Sequence, residues 1–368
     1  MTKAGVKNGG TKKVSRESGG RKTALLCRAE AEDETLVTTE AEAPNGGREL
    51  EEEEAAGDGG GGLLGGSGRS GLPDVLAATT LVLPFFFWGT SMVAMKFEAV
   101  HTTPLFLGSF RLIPAGLALL VWSKYFAGTE RREIDVVPKA LEDWGKILVW
   151  AFVDATCFQG FLAEGLQRTG AGIGSIIIDS QPISVAIMAA LFLDEKITTK
   201  TALGLAVGVL GLVILEVGPQ DAGVVVDSQG NGQLLMLLAA QSMAVGTILV
   251  RWVCKTIDPV VATGWHMVLG GLPLLFVSLS TDTDLMQRLE GLGPADVLLL
   301  SYITLLGGAA SYGLFFVNAS KGNLTKLSSL TFLTPVFACF FGNVLLNESF
   351  NTLQILGAAT TLLGIFLV

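Results

Sequence analysis

Histidine is nearly absent from this chain of 368 residues, with only His101 and His266 present. The four cysteines, Cys27, Cys157, Cys254 and Cys339, lie far apart and form no C-x-x-C pair. Such a chain offers no metal-ligand cluster and no Ser-His-Asp arrangement, and its cysteines read as small apolar packers. No phosphate-binding P-loop sequence occurs, which argues against ATP-driven work by this chain alone. Charged residues make up only 16% of the sequence, too few for an ordinary soluble domain. No cofactor, metal or nucleic-acid partner is therefore expected.

What the chain has instead is apolar length. Half of it is hydrophobic and the mean hydropathy is +0.54. The charge it does carry is unevenly placed. Residues 1–28 hold eight Lys/Arg and one acid, Glu17, with no apolar core of the secretory type. That composition predicts an organelle transit peptide, with Leu26 to Ala29 resembling a plastid processing site. Residues 29–73 form an acidic, then Gly/Ser-rich stretch, expected to be a disordered linker because it cannot bury enough apolar area to offset its ordering entropy.

Ten apolar segments come next, at about 75–96, 104–123, 146–166, 173–193, 200–217, 232–252, 260–280, 297–317, 327–346 and 351–368. Each is close to the roughly 20 residues that cross a bilayer. The second five repeat the first five. Pro182, Glu195, Gly204 and Gly211 return 153 residues later as Pro335, Glu348, Gly357 and Gly364. Arg111 is matched by His266 at a spacing of 155, and Gln159 by Tyr312 at 153. Five is odd, so the second copy must enter the membrane from the opposite side. The expected fold is an all-α membrane protein of ten transmembrane helices in two inverted five-helix repeats, residues 74–218 and 231–368. Eleven Lys/Arg fall on the side of both termini and three, Lys96, Arg168 and Arg288, on the other. The basic side is expected to face the cytoplasm or, in a plastid, the stroma.

Ser180-Gln181-Pro182, Leu193-Asp194-Glu195 and Gly204 to Gly211 resemble the end of an EamA domain, and Leu333-Thr334-Pro335, Asn347-Glu348 and Gly357 to Gly364 resemble a second. The chain is thus similar to the ten-span drug/metabolite transporter superfamily, in particular to its plastid-targeted plant members. The resemblance implies a transporter of a small organic metabolite and leaves the substrate open, since family members move amino acids, nucleobases, other metabolites and drugs.

Charges within spans are costly and mark cavities or partners. Arg111, Gln159 and Asp179 lie six or seven residues from the outer ends of their spans, at nearly one depth. Two arrangements follow from this: an Arg111–Asp179 ion pair, or one or both of these charges facing the solute. Asp154 lies deeper from the inner end of its span, and Glu164 nearer the outer surface. Trp88, Trp265 and Tyr312 could stack on a flat ligand. The candidate cavity residues are Trp88, Arg111, Gln159, Asp179, Gln181, Trp265, His266 and Tyr312. Pro182 and Pro335 are candidate kinks. Glu195 and Glu348 read as structural turn residues, with Thr198 and Asn351 as N-caps of the helices after them. Gly204, Gly211, Gly357 and Gly364 read as close-packing faces, with a homodimer contact as a further use.

The resulting expectation is a secondary transporter in a plastid membrane, contacting lipid and a small-molecule solute. A sugar-phosphate or other anion exchanger, and a non-transporting membrane protein, are the rival readings. The plasma membrane or another organelle is the rival location. The sequence gives no catalytic cluster, so an enzyme is not expected.

Overall fold

The computed structural model describes residues 72–98, 102–125, 135–169, 171–216, 231–346 and 352–368. The expected transit peptide, nearly all of the linker, Glu348 and Asn351 lie outside them. The described residues form helices α1 (Leu72–Glu98), α2 (Pro104–Tyr125), α3 (Leu141–Arg168), α4 (Ile173–Phe192), α5 (Thr199–Glu216), α6 (Asn231–Val253), α7 (Pro259–Thr281), α8 (Pro294–Ala319), α9 (Leu324–Leu345) and α10 (Thr352–Leu367). A short helix, Leu285–Glu290, joins α7 to α8. Nine of these are long and apolar enough to cross a membrane, and α10 is an apolar helix of 16 residues.

The sequence reading starts α3 at residue 146, whereas the helix begins at Leu141. Its first turns carry Glu142, Asp143 and Lys146, with Lys146 Nζ 2.7 Å from Glu142 and 3.4 Å from Asp143. Charges paired along one helix face support the helix while lowering its hydropathy, so an apolar window misses that end.

Repeat-equivalent helices that touch run antiparallel, as an inverted duplication requires. The start of α2 meets the end of α7, where Thr103 donates to Asp282 at 2.5 Å. The chain just past α4 meets the start of α9: Glu195 accepts from the N–H groups of Leu324 and Thr325 at 2.8 and 3.1 Å and from the Thr325 hydroxyl at 2.9 Å. Glu195 is thus a structural residue, but it caps the N-terminus of α9 in the other repeat. Such a carboxylate satisfies orphan N–H groups and complements the helix dipole. Thr198 caps α5, accepting from Thr201 N–H at 3.1 Å. Asp194 turns the chain between these helices in a left-handed conformation, φ 56°.

The helices α5 and α10 make one of the two most extensive contacts in the molecule, the other being α2 with α7. Their glycines interlock: a Cβ on Gly204 would lie 2.8 Å from the Gly364 carbonyl oxygen, one on Gly357 2.9 Å from that of Gly211, and one on Gly364 would strike the Gly208 backbone. The Gly204, Gly211, Gly357 and Gly364 faces therefore close on each other within the chain, which removes them as a homodimer surface.

Two departures from regular helix recur at equivalent positions. The middle of α3 is π-helical over Ala151–Cys157, and the middle of α8 over Leu305–Ala310. α4 breaks at Ser180 directly ahead of Pro182, and α9 tightens into a 3₁₀ turn over Leu330–Phe332 ahead of Pro335. Proline removes a backbone donor and crowds the preceding turn, so the interruption falls where the ring demands it.

Gly364→Val should cost at least about 1–3 kcal/mol through backbone overpacking. Gly145, whose Cβ would meet nothing within 4 Å, should accept alanine without loss. Monodispersity and thermal unfolding in detergent would distinguish them; equal behaviour of both variants contradicts the glycine-seam account.

Candidate functional site

Five of the eight candidate cavity residues come together where the repeats meet. Tyr312 on α8 is the hub. Its hydroxyl accepts from Gln159 Nε2 of α3 at 3.1 Å and from Arg111 Nη2 of α2 at 3.2 Å. The Arg111 guanidinium also lies 5.5 Å from the Tyr312 ring centre, and its Nη1 is 3.6 Å from Met95 Sδ of α1. Trp88 of α1 packs edge-on to the same ring at 5.2 Å. Gln159 and Tyr312 are repeat equivalents, so this hydrogen bond joins one position to its own duplicate. Each side chain sits two residues beyond its π-helical segment. An extra residue in one turn rotates every later side chain of the helix about its axis, so the paired π segments set the direction in which Gln159 and Tyr312 point.

The aromatic contacts continue through the centre. Tyr312 packs on Phe316 at 5.9 Å, Phe316 on His266 of α7 at 5.5 Å, and His266 stacks on Trp150 of α3 at 4.1 Å. His266 Nε2 lies 3.0 Å from Asp154 Oδ2, with the two side chains 1% and 2% exposed. The sequence places both residues inside spans but does not couple them; the clue was that an intraspan acid and the only intraspan histidine had no other obvious partner.

The remaining three candidates lie elsewhere. Asp179 does not reach Arg111. The helix α2 packs on α3, α7 and α8, whereas the first half of α4 packs on α5 and α6. The charged group acting on Asp179 is another acid, Glu216 at the end of α5. Equal depth along two helices fixes one coordinate and leaves the rotation about each axis free. Gln181 is buried in the α4–α6 contact, 3.5 Å from Thr247 Oγ1. Trp265 turns to the basic face, donating its indole N–H to Val136 O at 2.7 Å and packing on Trp144 at 4.9 Å. Stacking on a central ligand is closed to it.

Arg111 is therefore a half-buried cation whose contacts are a phenol and a thioether. Its Nε and the Trp88 Nε1 are buried with no hydrogen-bond partner among the described residues. About 10 Å along α2, at the opposite face, a polar recess of about 360 Å³ is lined by Thr102, Thr103, Glu164, Gln167, Asp282 and Arg288 among others. Among the described residues no group of three or more His, Cys, Asp or Glu could hold a metal ion.

The family model described as EamA-like transporter family matches residues 75–217 and again 230–368. The chain belongs to this family. A chloroplastic WAT1-related protein of Arabidopsis thaliana is 51% identical over 308 residues, covering 83% of this chain and 71% of that one. An uncharacterized transporter of Synechocystis sp. is 47% identical, covering 80% of this chain and 90% of its own. A probable amino-acid metabolite efflux pump of Salmonella typhimurium is 23% identical over 76% of this chain and 90% of its own. One solved crystal structure, 14% identical, shares the fold with a TM-score of 0.68 over 80% of this chain and 96% of that chain. The protein is thus a multi-pass membrane protein of a transporter family and not an enzyme.

A double-mutant cycle checks the corrected geometry. Arg111→Gln and Tyr312→Phe should couple, by about 0.5–3 kcal/mol, whereas Arg111→Gln and Asp179→Asn should add to within about 0.5 kcal/mol. Unfolding free energies in mixed micelles give both numbers; strong Arg111–Asp179 coupling would restore the pair.

Proposed function

We propose that the protein is a secondary transporter that carries a small organic solute through the Arg111–Tyr312 centre by alternating access between its two repeats. The observation that carries this is a guanidinium at the junction of the repeats with no acid partner among the described residues. A half-buried permanent cation without a counter-charge is costly, and a solute carboxylate would supply that charge with bidentate geometry. Gln159 would add a polar contact, and Trp88, with its free indole N–H, an aromatic wall. The proposed site is Trp88, Arg111, Gln159 and Tyr312. Rocking of the repeats would alternate the contacts that bridge them, Glu195 with α9 on the basic face and Thr103 with Asp282 on the opposite face.

A single guanidinium favours a solute with one carboxylate over a phosphate ester, which puts the sugar-phosphate exchanger second. Amino-acid metabolites, named for the Salmonella relative, have such a carboxylate. Proteoliposomes preloaded with a pool of amino acids and organic acids provide the test. Arg111→Gln should lower counterflow about 10-fold or more, as expected for loss of a charge-assisted hydrogen bond, and Tyr312→Phe less. Wild-type protein that moves none of the pool, or Arg111→Gln protein that moves it normally, overturns the reading.

The location we propose is a plastid membrane, with residues 1–28 as transit peptide, 29–73 as linker, and 74–218 and 231–368 as the two membrane repeats; the chloroplastic relative supports it. Residues 1–73 fused to a fluorescent reporter should carry it into plastids, and removal of residues 1–28 should abolish import. A reporter left in the cytosol contradicts this.

A further inference from the structure

The central network is symmetric in position and unequal in chemistry. His266 stands where the first repeat has Arg111, and 153 residues on from Asp154 stands Gly307. The first repeat thus supplies a permanent cation with no acid partner among the described residues, and the second a histidine that takes its acid, Asp154, from the first. Resting on the carrier reading, the geometry points to the Asp154–His266 pair as a proton-binding site that couples solute movement to a proton gradient, one proton per cycle.

Four observations support the site. The pair bridges the repeats, Asp154 on α3 and His266 on α7, so relative movement of the repeats must strain it. It is sealed: Trp150 stacks on the imidazole, and the Gly246 backbone of α6 lies so close to Asp154 that a Cβ there would overlap its carboxylate. Asp154 stands on the π-helical segment of α3, where the helix already departs from regular geometry. Asp154 Oδ1 and both ring nitrogens of His266 are buried without a hydrogen-bond partner among the described residues, Nε2 meeting Asp154 Oδ2 at 3.0 Å as an ion-pair contact only, so the pair is less than fully satisfied as it stands. A purely structural ion pair would be expected to fill those positions.

The step is a proton transfer with no redox change. An imidazole nitrogen of His266 takes a proton from water on one face, giving an imidazolium beside the Asp154 carboxylate. Release to water on the other face leaves a neutral imidazole and a carboxylate without its counter-charge. A lone buried carboxylate is penalised, so the unprotonated pair favours whichever arrangement of the repeats admits water to it. Histidine is suited to this because its charge changes near neutral pH, whereas the equivalent Arg111 stays charged. The groups facing the pair are few. Tyr312 of α8 is joined to it through Phe316, and Arg111 of α2 lies beyond that hydroxyl. On the elements packed against it, α3 also carries Lys146, held by Glu142 and Asp143, together with Cys157, Glu164 and Arg168; α6 carries Arg251 and α7 is flanked by Asp258 and Asp282.

The chain's two histidines make the test direct. In nanodiscs, ¹⁵N-histidine spectra of the full chain, assigned with His101→Gln, should show the His266 ring changing protonation state as the pH of the medium is varied, and Asp154→Asn should alter that change. A His266 that keeps one protonation state throughout, or a response indifferent to Asp154→Asn, overturns the site. Proteoliposomes holding the pH dye pyranine and given the amino-acid and organic-acid pool then read the coupling. Wild type should change lumen pH as solute moves, while Asp154→Asn should exchange solute at least tenfold better than it moves protons. Solute exchange by wild type with no pH change overturns the coupling and leaves the carrier reading standing. Movement of neither solute nor protons overturns the carrier reading.

Discussion

A peptide group in hydrocarbon has no water to bond, and that one constraint shapes every element here. It requires helices, because only a helix pairs its backbone within one crossing segment. It also dictates where a helix can be irregular. The π segments of α3 and α8, the break before Pro182 and the 3₁₀ turn before Pro335 all lie where protein surrounds them on several sides. Thr156 donates to the Gly270 carbonyl of α7 at 2.8 Å, and Ser311 to the Leu306 carbonyl at 2.7 Å. The Ser311 hydroxyl thus takes up a carbonyl of the π turn of α8, and Thr156 ties the π segment of α3 to α7. Such tolerance exists only next to another helix, so the irregular backbone collects at the centre.

The inverted duplication turns that local rule into a site. Equivalent helices touch antiparallel, and positions near the axis meet their own duplicates. Gln159 and Tyr312 are the clearest case. Identical residues would have left a two-fold symmetric centre. Divergence has instead made one side a donor and the other a hub that accepts twice. Arg111 and His266 diverge the same way, and so do Asp154 and Gly307. A solute that is not itself symmetric can be held in a single orientation only by such an unequal pair of half-sites.

The fold was legible because its determinants are coarse and repeated. Apolar length marks spans regardless of packing, and Pro182, Glu195, Gly204 and Gly211 fix a register with their counterparts that chance cannot easily imitate. The site was legible in part. Arg111, Gln159, Tyr312, Trp88 and His266 stand out as polar or aromatic residues at mid-depth, and they do converge. Asp179 and Trp265 had the same credentials and point elsewhere. The difference is azimuth. Two irregular turns, invisible in hydropathy, reset the rotation of α3 and α8, and the break at Ser180 resets that of α4. Glu195 shows a related limit: its structural role is plain from position, but a cap on a helix 129 residues away is a tertiary fact.

The arrangement of α5 and α10 completes the mechanical logic. Their interlocked glycines bring two backbones together with no side chain between, and such a seam tolerates little sliding because each displacement meets main chain rather than a rotatable group. The helices α2 and α7 form a second close seam between the repeats, where a Cβ on Gly264 would lie 3.1 Å from the Gly116 carbonyl oxygen, and Thr103 to Asp282 and Glu195 to α9 add a few hydrogen bonds at the faces. On the carrier reading proposed above, relative movement of the repeats would work against both seams, and the one buried ion pair that spans the repeats among the described residues, Asp154 of α3 with His266 of α7, would be strained by it.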